Sequence, residues 1–156
     1  MCIPNFAATC GLTGLFLASV APVQGAPLRL AQNGEALACI VVSDSASPVE
    51  LTAAKELSDI LGQVTGAVFA TGEEARDGLA RITVGPDASR GLDPTLQLPF
   101  DELGHEGIVI RCDGRDLLLT GAPGARRGTL YAVYTFLADT VGCRWWAPKV
   151  TFIPRS

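Results

Sequence analysis

The run from Glu106 to Pro148, EGIVIRCDGRDLLLTGAPGARRGTLYAVYTFLADTVGCRWWAP, constrains this chain more than any other segment, because it strings strands, a glycine-rich loop and a helix into one unit. Ile108 and Ile110 alternate with shorter or polar neighbours, Asp113-Gly114 is a two-residue hairpin signal, and Leu117 to Leu119 are continuously apolar. The segment therefore predicts a β-hairpin. Gly121, Pro123, Gly124 and Gly128 punctuate a loop, and the helical run from about Arg126 to Val141 is stopped by Gly142. CRWW, residues 143–146, reads as a short closing strand. The unit holds no cluster of titratable side chains such as a catalytic centre needs.

With 156 residues the chain is one domain in size and can bury a substantial core. Its net charge of -4, with 12 lysines and arginines and no basic block, excludes a nucleic-acid partner and gives no attraction to an anionic membrane surface. Met1 to Gly25 reads as a secretory signal peptide: an apolar stretch through Leu12, Leu15, Phe16, Leu17 and Val20, then Pro22 and small residues at a cleavage point near Gly25 or Ala26. It departs from the pattern in lacking a Lys or Arg ahead of the apolar run. The same stretch is barely long enough for a membrane span and is interrupted by Gly and Pro, which argues against one. The location implied is secreted or periplasmic, with a folded domain over 27–156.

Cys2 and Cys10 would leave with the signal peptide. Cys39, Cys112 and Cys143 remain, an odd number that excludes a complete disulfide framework while leaving one bridge open, and each is expected as a buried thiol in a strand. No Cys or His spacing predicts a metal site, and the single His105 cannot anchor one.

Ahead of the hairpin, LRLA (28–31) is a strand candidate followed by a turn at Gln32-Asn33-Gly34, and Leu37 to Val42 has the unbroken apolar character of a strand covered on both faces. Ser47-Pro48-Val49-Glu50 is a capping box with proline at the first helical position. The helix it opens carries Val49, Ala53, Leu57, Ile60, Leu61 and Val64 on one stripe and ends at Gly66. Ala67 to Ala70 is expected as a brief strand, Thr71 to Leu79 as a connection, Ala80 to Val84 as a strand, and Asp87 to Leu103 as a surface loop with one short helical turn.

Three places could carry chemistry. Asp101, Glu102, His105 and Glu106 bring carboxylates near a histidine, which acid–base work would use, but no nucleophile or apolar surround accompanies them. The loop from Gly121 to Gly128 lies between strand and helix, where amides and the helix dipole can hold an anion; it lacks the Lys-Ser/Thr of a phosphate-binding loop and is read first as a structural turn. Arg127 there could meet a carboxylate or sugar. Trp145 and Trp146 point to opposite faces of a strand, so at least one is expected in the core, while an exposed Trp146 beside Arg144 could stack on a sugar ring.

Arg127-Gly128-Thr129-Leu130-Tyr131 opening a helix, followed by Gly142-Cys143-Arg144-Trp145-Trp146-Ala147-Pro148, resembles the N-terminal domain of α-glucuronidase-type glycoside hydrolases. That domain is also found ahead of uncharacterised bacterial secreted proteins and is related in fold to the second domain of β-hexosaminidases. The helix AAKELSDILGQVTGA and the strand RITVGP have the same look and order, so the resemblance covers roughly residues 37–154. It implies an α/β (α+β) domain, a mixed sheet with two main helices packed on it, standing before a (β/α)8 catalytic barrel that this chain does not contain. The paired carboxylates of glycoside hydrolysis belong to that barrel, so no catalytic residue and no cofactor is carried over. The Phe152–Ser156 exit is read as the start of a linker to a further domain.

The expected function is then that of a non-catalytic accessory domain in a secreted protein of carbohydrate metabolism, its partner being the barrel. The alternative is a stand-alone carbohydrate-binding module in which Arg127, Arg144 and Trp146 contact a polysaccharide or oligosaccharide. A third reading is a small hydrolase using His105 with Glu106 or Asp101.

Overall fold

The capping box starts a helix as the sequence predicts. In the computed structural model, which describes residues 28–92, 97–147 and 150–155, α1 runs over Pro48–Thr65. The Glu50 amide donates to Ser47 Oγ at 3.4 Å and the Ser47 amide to Glu50 Oε2 at 2.7 Å. Gly66 closes the helix at φ 73°, its N–H donating to the Gly62 carbonyl. Replacing Ser47 by alanine is expected to cost about 1 kcal/mol in urea unfolding, because two helix-start amides lose their partner geometry together. The signal-peptide reading of 1–25, with Cys2 and Cys10, lies outside the described residues.

Short antiparallel strands β1 (Ala31–Gln32) and β2 (Glu35–Ala36) flank Asn33 and Gly34, whose φ of 51° and 78° make the mirror-image turn that Asn-Gly favours. The main sheet has five strands in the order β4-β3-β5-β7-β6. These are β3 (Ala38–Val41), β4 (Thr71–Gly72), β5 (Ala80–Val84), β6 (Ile108–Asp113) and β7 (Asp116–Gly121). β4, β3, β5 and β7 run parallel, and β6 pairs antiparallel with β7 as the predicted hairpin. Gly114, at φ 60°, holds the first loop position. The sheet is therefore mixed and the fold α/β, as the sequence implied.

Side-chain alternation divides the sheet into two faces. Ala38, Ile40, Ala80, Ile82, Val84, Leu117 and Leu119 share one core with Leu57, Ile60 and Leu61 of α1 and with Ala132, Val133, Phe136 and Leu137. The last four belong to α3 (Gly128–Phe136) and a π-helical turn (Leu137–Val141) that continues it to Gly142 at φ 91°. The predicted helix thus begins later than Arg126, and its buried side is set by Thr129, Ala132, Val133, Phe136 and Leu137; Leu130 and Val141 are only half-buried.

The opposite face carries Cys39, Thr83, Leu118 and Thr120, all buried. Besides the two main helices, the segment expected as a surface loop with one short helical turn carries more helix than that. Pro86 opens a third helix, α2 (Pro86–Leu92), and a 3-10 turn follows at Phe100–Glu102. Proline suits a first helical position because no hydrogen bond is lost there, so the residue that marks the end of the strand also starts the helix. Small Ala88 and Ser89 are buried, and Ser89 Oγ donates to the Gly85 carbonyl at 2.6 Å.

The expected strand at Ala67 to Ala70 is displaced: β4 itself is Thr71–Gly72, although the Ala70 carbonyl already accepts from the Ile40 amide. Both β4 residues are exposed, so backbone pairing rather than burial defines this edge. The chain then crosses the second face to reach β5, and on the way the Arg76 amide donates to Cys39 Sγ at 3.4 Å.

An ion pair ties β5 to β7. Arg81 of β5 makes a forked contact to Asp116 of β7, Nε to Oδ1 at 3.0 Å and Nη2 to Oδ2 at 2.5 Å, and the Arg81 amide also donates to Oδ1. Burial pushes the Asp116 carboxyl upward, but the hydrogen bonds and charge of Arg81 outweigh it and hold the group below its ordinary value of 3.8. A depressed folded-state value means that this stabilisation is present above the ordinary range and is lost as pH falls through the folded value. Asp116→Asn is expected to flatten the fall in stability below roughly pH 4 and to cost about 1 kcal/mol at neutral pH, since Arg81 is partly solvated. Urea midpoints across pH check both parts.

Candidate functional site

After Gly142 the chain leaves the main sheet and forms a separate two-stranded antiparallel ribbon, β8 (Arg144–Ala147) with β9 (Val150–Phe152). Trp145 pairs with Thr151 and Ala147 with Val150, so Trp146 sits at an irregularity of the ladder. Trp146 is 68% exposed, Phe152 49% and Trp145 38%. The expectation that one tryptophan lies in the core is therefore corrected. A ribbon of two strands has no second layer to cover its faces, and the core is already closed by α1 and α3.

Each ring still has a neighbour. Trp145 meets Tyr134 edge to face, centroids 5.1 Å apart at 86°, and Tyr134 Oη donates to Glu56 of α1 at 3.4 Å. Burial and that carboxylate push the Tyr134 hydroxyl up, which keeps it a neutral donor. Trp146 lies on Phe152 with centroids 6.4 Å apart. Edge-to-face and tilted contacts of this kind suit aromatic quadrupoles. Phe152, expected as the first residue of an exit running to Ser156, is instead the last residue of β9, and the signal for it is VTF following RWWA after two intervening residues.

The three residues singled out for carbohydrate contact do not converge. Arg144 is exposed as a residue, but its Nη1 donates to the Ala138 carbonyl and to the Cys143 carbonyl, the latter at 2.7 Å. These are carbonyls at the end of the α3 unit, where a cation suits the helix dipole. Arg127 is the residue before α3, exposed, with Nη1 donating to Tyr131 Oη at 3.4 Å. Arg144 instead bonds carbonyls at the far end of the helical unit, while the ribbon folds back so that Trp145, beside Trp146, meets Tyr134 midway along that unit. Trp146 and Arg144 therefore share the ribbon, and Arg127 stands at the other end of the helix.

The glycine loop is chiefly a packing device. A Cβ on Gly121 would lie 2.5 Å from Gly128 Cα, and one on Gly128 would lie 2.8 Å from Gly121 Cα and 3.1 Å from the Gly107 carbonyl oxygen. The end of β7 and the start of α3 touch backbone to backbone, fastened by the Gly121 amide donating to Thr129 Oγ1 at 3.2 Å. Gly124, at φ 75°, makes the turn between them.

Asp101, Glu102, His105 and Glu106 are all exposed, on the segment that leads into β6. Among the described residues no group of His, Cys, Asp and Glu is placed to hold a metal ion. Cys39, Cys112 and Cys143 are free thiols, so the bridge left open is not formed. Cys39 and Cys143 are buried as expected; Cys112 is exposed, because it lies on β6 at the sheet edge. Burial pushes the Cys143 thiol up despite the nearby Arg144, which makes it a poor nucleophile. No helix among the described residues is long and apolar enough to cross a membrane.

No protein family and no curated protein matches the chain.

Proposed function

We propose that this chain is the non-catalytic N-terminal accessory domain of a secreted glycoside hydrolase-like protein acting in carbohydrate metabolism, and that it packs against a (β/α)8 barrel. The observation that carries this reading is the ribbon bearing Trp145, Trp146 and Phe152. Apolar rings left this exposed on one small element mark an interaction surface. The resemblance of Arg127–Tyr131 and Gly142–Pro148 to the domain that precedes such barrels supplies the partner.

The test is the reading frame that encodes the chain. Some 250 further residues patterned as alternating strands and helices are expected in it. A frame without them overturns the proposal, as would hydrolysis of aryl glucuronides or aryl hexosaminides by the purified 156-residue chain. Trp146→Ser is expected to shift the stability of the isolated chain by no more than about 0.5 kcal/mol, since the ring is mostly in water, while markedly weakening association with the barrel. Thermal melts and size-exclusion binding measure the two effects.

The exposed ring of Trp146 favours a second reading, a stand-alone carbohydrate-binding module. It predicts heat on titration with acidic oligosaccharides that Trp146→Ala removes. Absence of heat at millimolar ligand rules it out.

A further inference from the structure

We propose that the crevice at the carboxyl edge of the parallel strands binds a neutral polyol of monosaccharide size, held by Ser45, Asp87 and Arg126. The topology provides the crevice. β3 leads through α1, on the core face, to β4 on one side; its neighbour β5 leads into α2, which packs on β5 and β7. The segments leaving two adjacent parallel strands thus depart in opposite directions. In open α/β sheets such a divergence leaves a gap outside the strand ends where ligands bind.

A cleft lies at this place. Its volume is about 530 Å³, and it is lined by Ser45 after β3, by Pro86 and Asp87 after β5, and by Pro123 and Arg126 after β7. Three separate connections therefore meet around one space, of a size that suits a small molecule. Ser43 and Ser45 share a hydroxyl contact of 2.8 Å, and Ser45 Oγ donates across the gap to Asp87 Oδ2 at 3.4 Å. The other Asp87 oxygen accepts from Arg90 at 2.8 Å. Arg126 makes no ion pair among the described residues.

The charges select the ligand. Asp87 and Glu50 stand at the cleft with Arg126, and Arg90 offsets Asp87 from behind, so no surplus positive charge is present to hold an anion. Adjacent hydroxyls of a polyol can donate to the Asp87 carboxylate and to Ser45 Oγ while accepting from the Arg126 guanidinium, which a carboxylate group, having no donor, cannot do. Pro123, which is exposed, offers an apolar edge to a ring's C–H face.

Amide NMR titration of the full chain tests the site, using xylose, glucose, glucuronate and inorganic phosphate separately up to about 50 mM. Saturable shifts at Ser45, Asp87, Ala125 and Arg126 with xylose or glucose are expected, and Arg126→Ala and Asp87→Asn should each weaken binding about fivefold or more. Both side chains are exposed and neither belongs to the core, so the variants are expected to keep the native spectrum elsewhere. The proposal is overturned if neither neutral sugar gives saturable shifts, or if only glucuronate or phosphate does. It also fails if the sugar shifts fall only on Trp145 to Phe152, or if both variants bind as the parent chain does. The cleft precedes α3 and the ribbon follows it, so this result stands or falls separately from docking to a barrel.

Discussion

Gly121→Ala is expected to be among the most damaging single substitutions in this chain. Gly121 does not need a positive φ, so its cost is steric. The added Cβ would lie 2.5 Å from Gly128 Cα, 2.6 Å from Gly128 C and 2.7 Å from the Thr129 amide nitrogen. All three are backbone atoms, and no side-chain rotation can relieve the contact. Relief would require α3 to move off β7, which would stretch the hydrogen bond to Thr129 and loosen Val133 and Phe136 in the core. Overpacking costs about 1–3 kcal/mol when side chains can yield, and here the loss should reach or exceed the upper figure. Gly91→Ala is the control. Gly91 lies within α2, without positive φ and with open space around its position, so alanine should be neutral or stabilise by about 0.5 kcal/mol. Urea midpoints that fall equally for both variants would contradict this account.

The features legible in the sequence are those fixed by local chemistry. Ser47 and Glu50 cap a helix, Gly66 and Gly142 end helical runs in the left-handed region, Ala80–Val84 is a strand, and 108–121 a hairpin. The hairpin's loop nevertheless lies at Gly114-Arg115, one residue later than the Asp-Gly signal alone suggests, because Asp113 and Asp116 still pair. What was not legible depended on partners distant in the chain. β4 is two exposed residues recognisable only by the β3 backbone that they join. α2 is short and buries only small residues and its first proline, so it has no apolar stripe to detect.

The same division runs through the candidate sites. Arg127, Arg144 and Trp146 are each plausible sugar contacts by residue type, yet the first bonds Tyr131 near the start of α3 and the helix end occupies the guanidinium of the second. Conversely, Ser45, Asp87 and Arg126 are unremarkable in sequence and far apart in it. They meet only because three strand ends stand side by side. A crevice of this kind is a property of strand order, which no local pattern encodes.

Strand order also governs the second large effect. β5 is the middle strand of the five, and Ile82 within it is wholly buried, on the side packed by α1 and α3. Ile82→Ala should cost about 3–4 kcal/mol, because the lost methyl groups leave a void that strands on both sides and helices above cannot collapse to fill. Ile110 offers a comparison of the same residue type. It lies on β6 at the sheet edge, is 38% exposed, and faces the same side, since it pairs with Leu119. Solvent already reaches it, so Ile110→Ala should cost under about 1 kcal/mol. Equal losses at the two positions, measured by urea unfolding, would mean that β6 is covered in solution by something other than this chain's own helices. A large gap between them would place the mechanical centre of the domain at β5, the strand whose carboxyl end also forms one wall of the crevice.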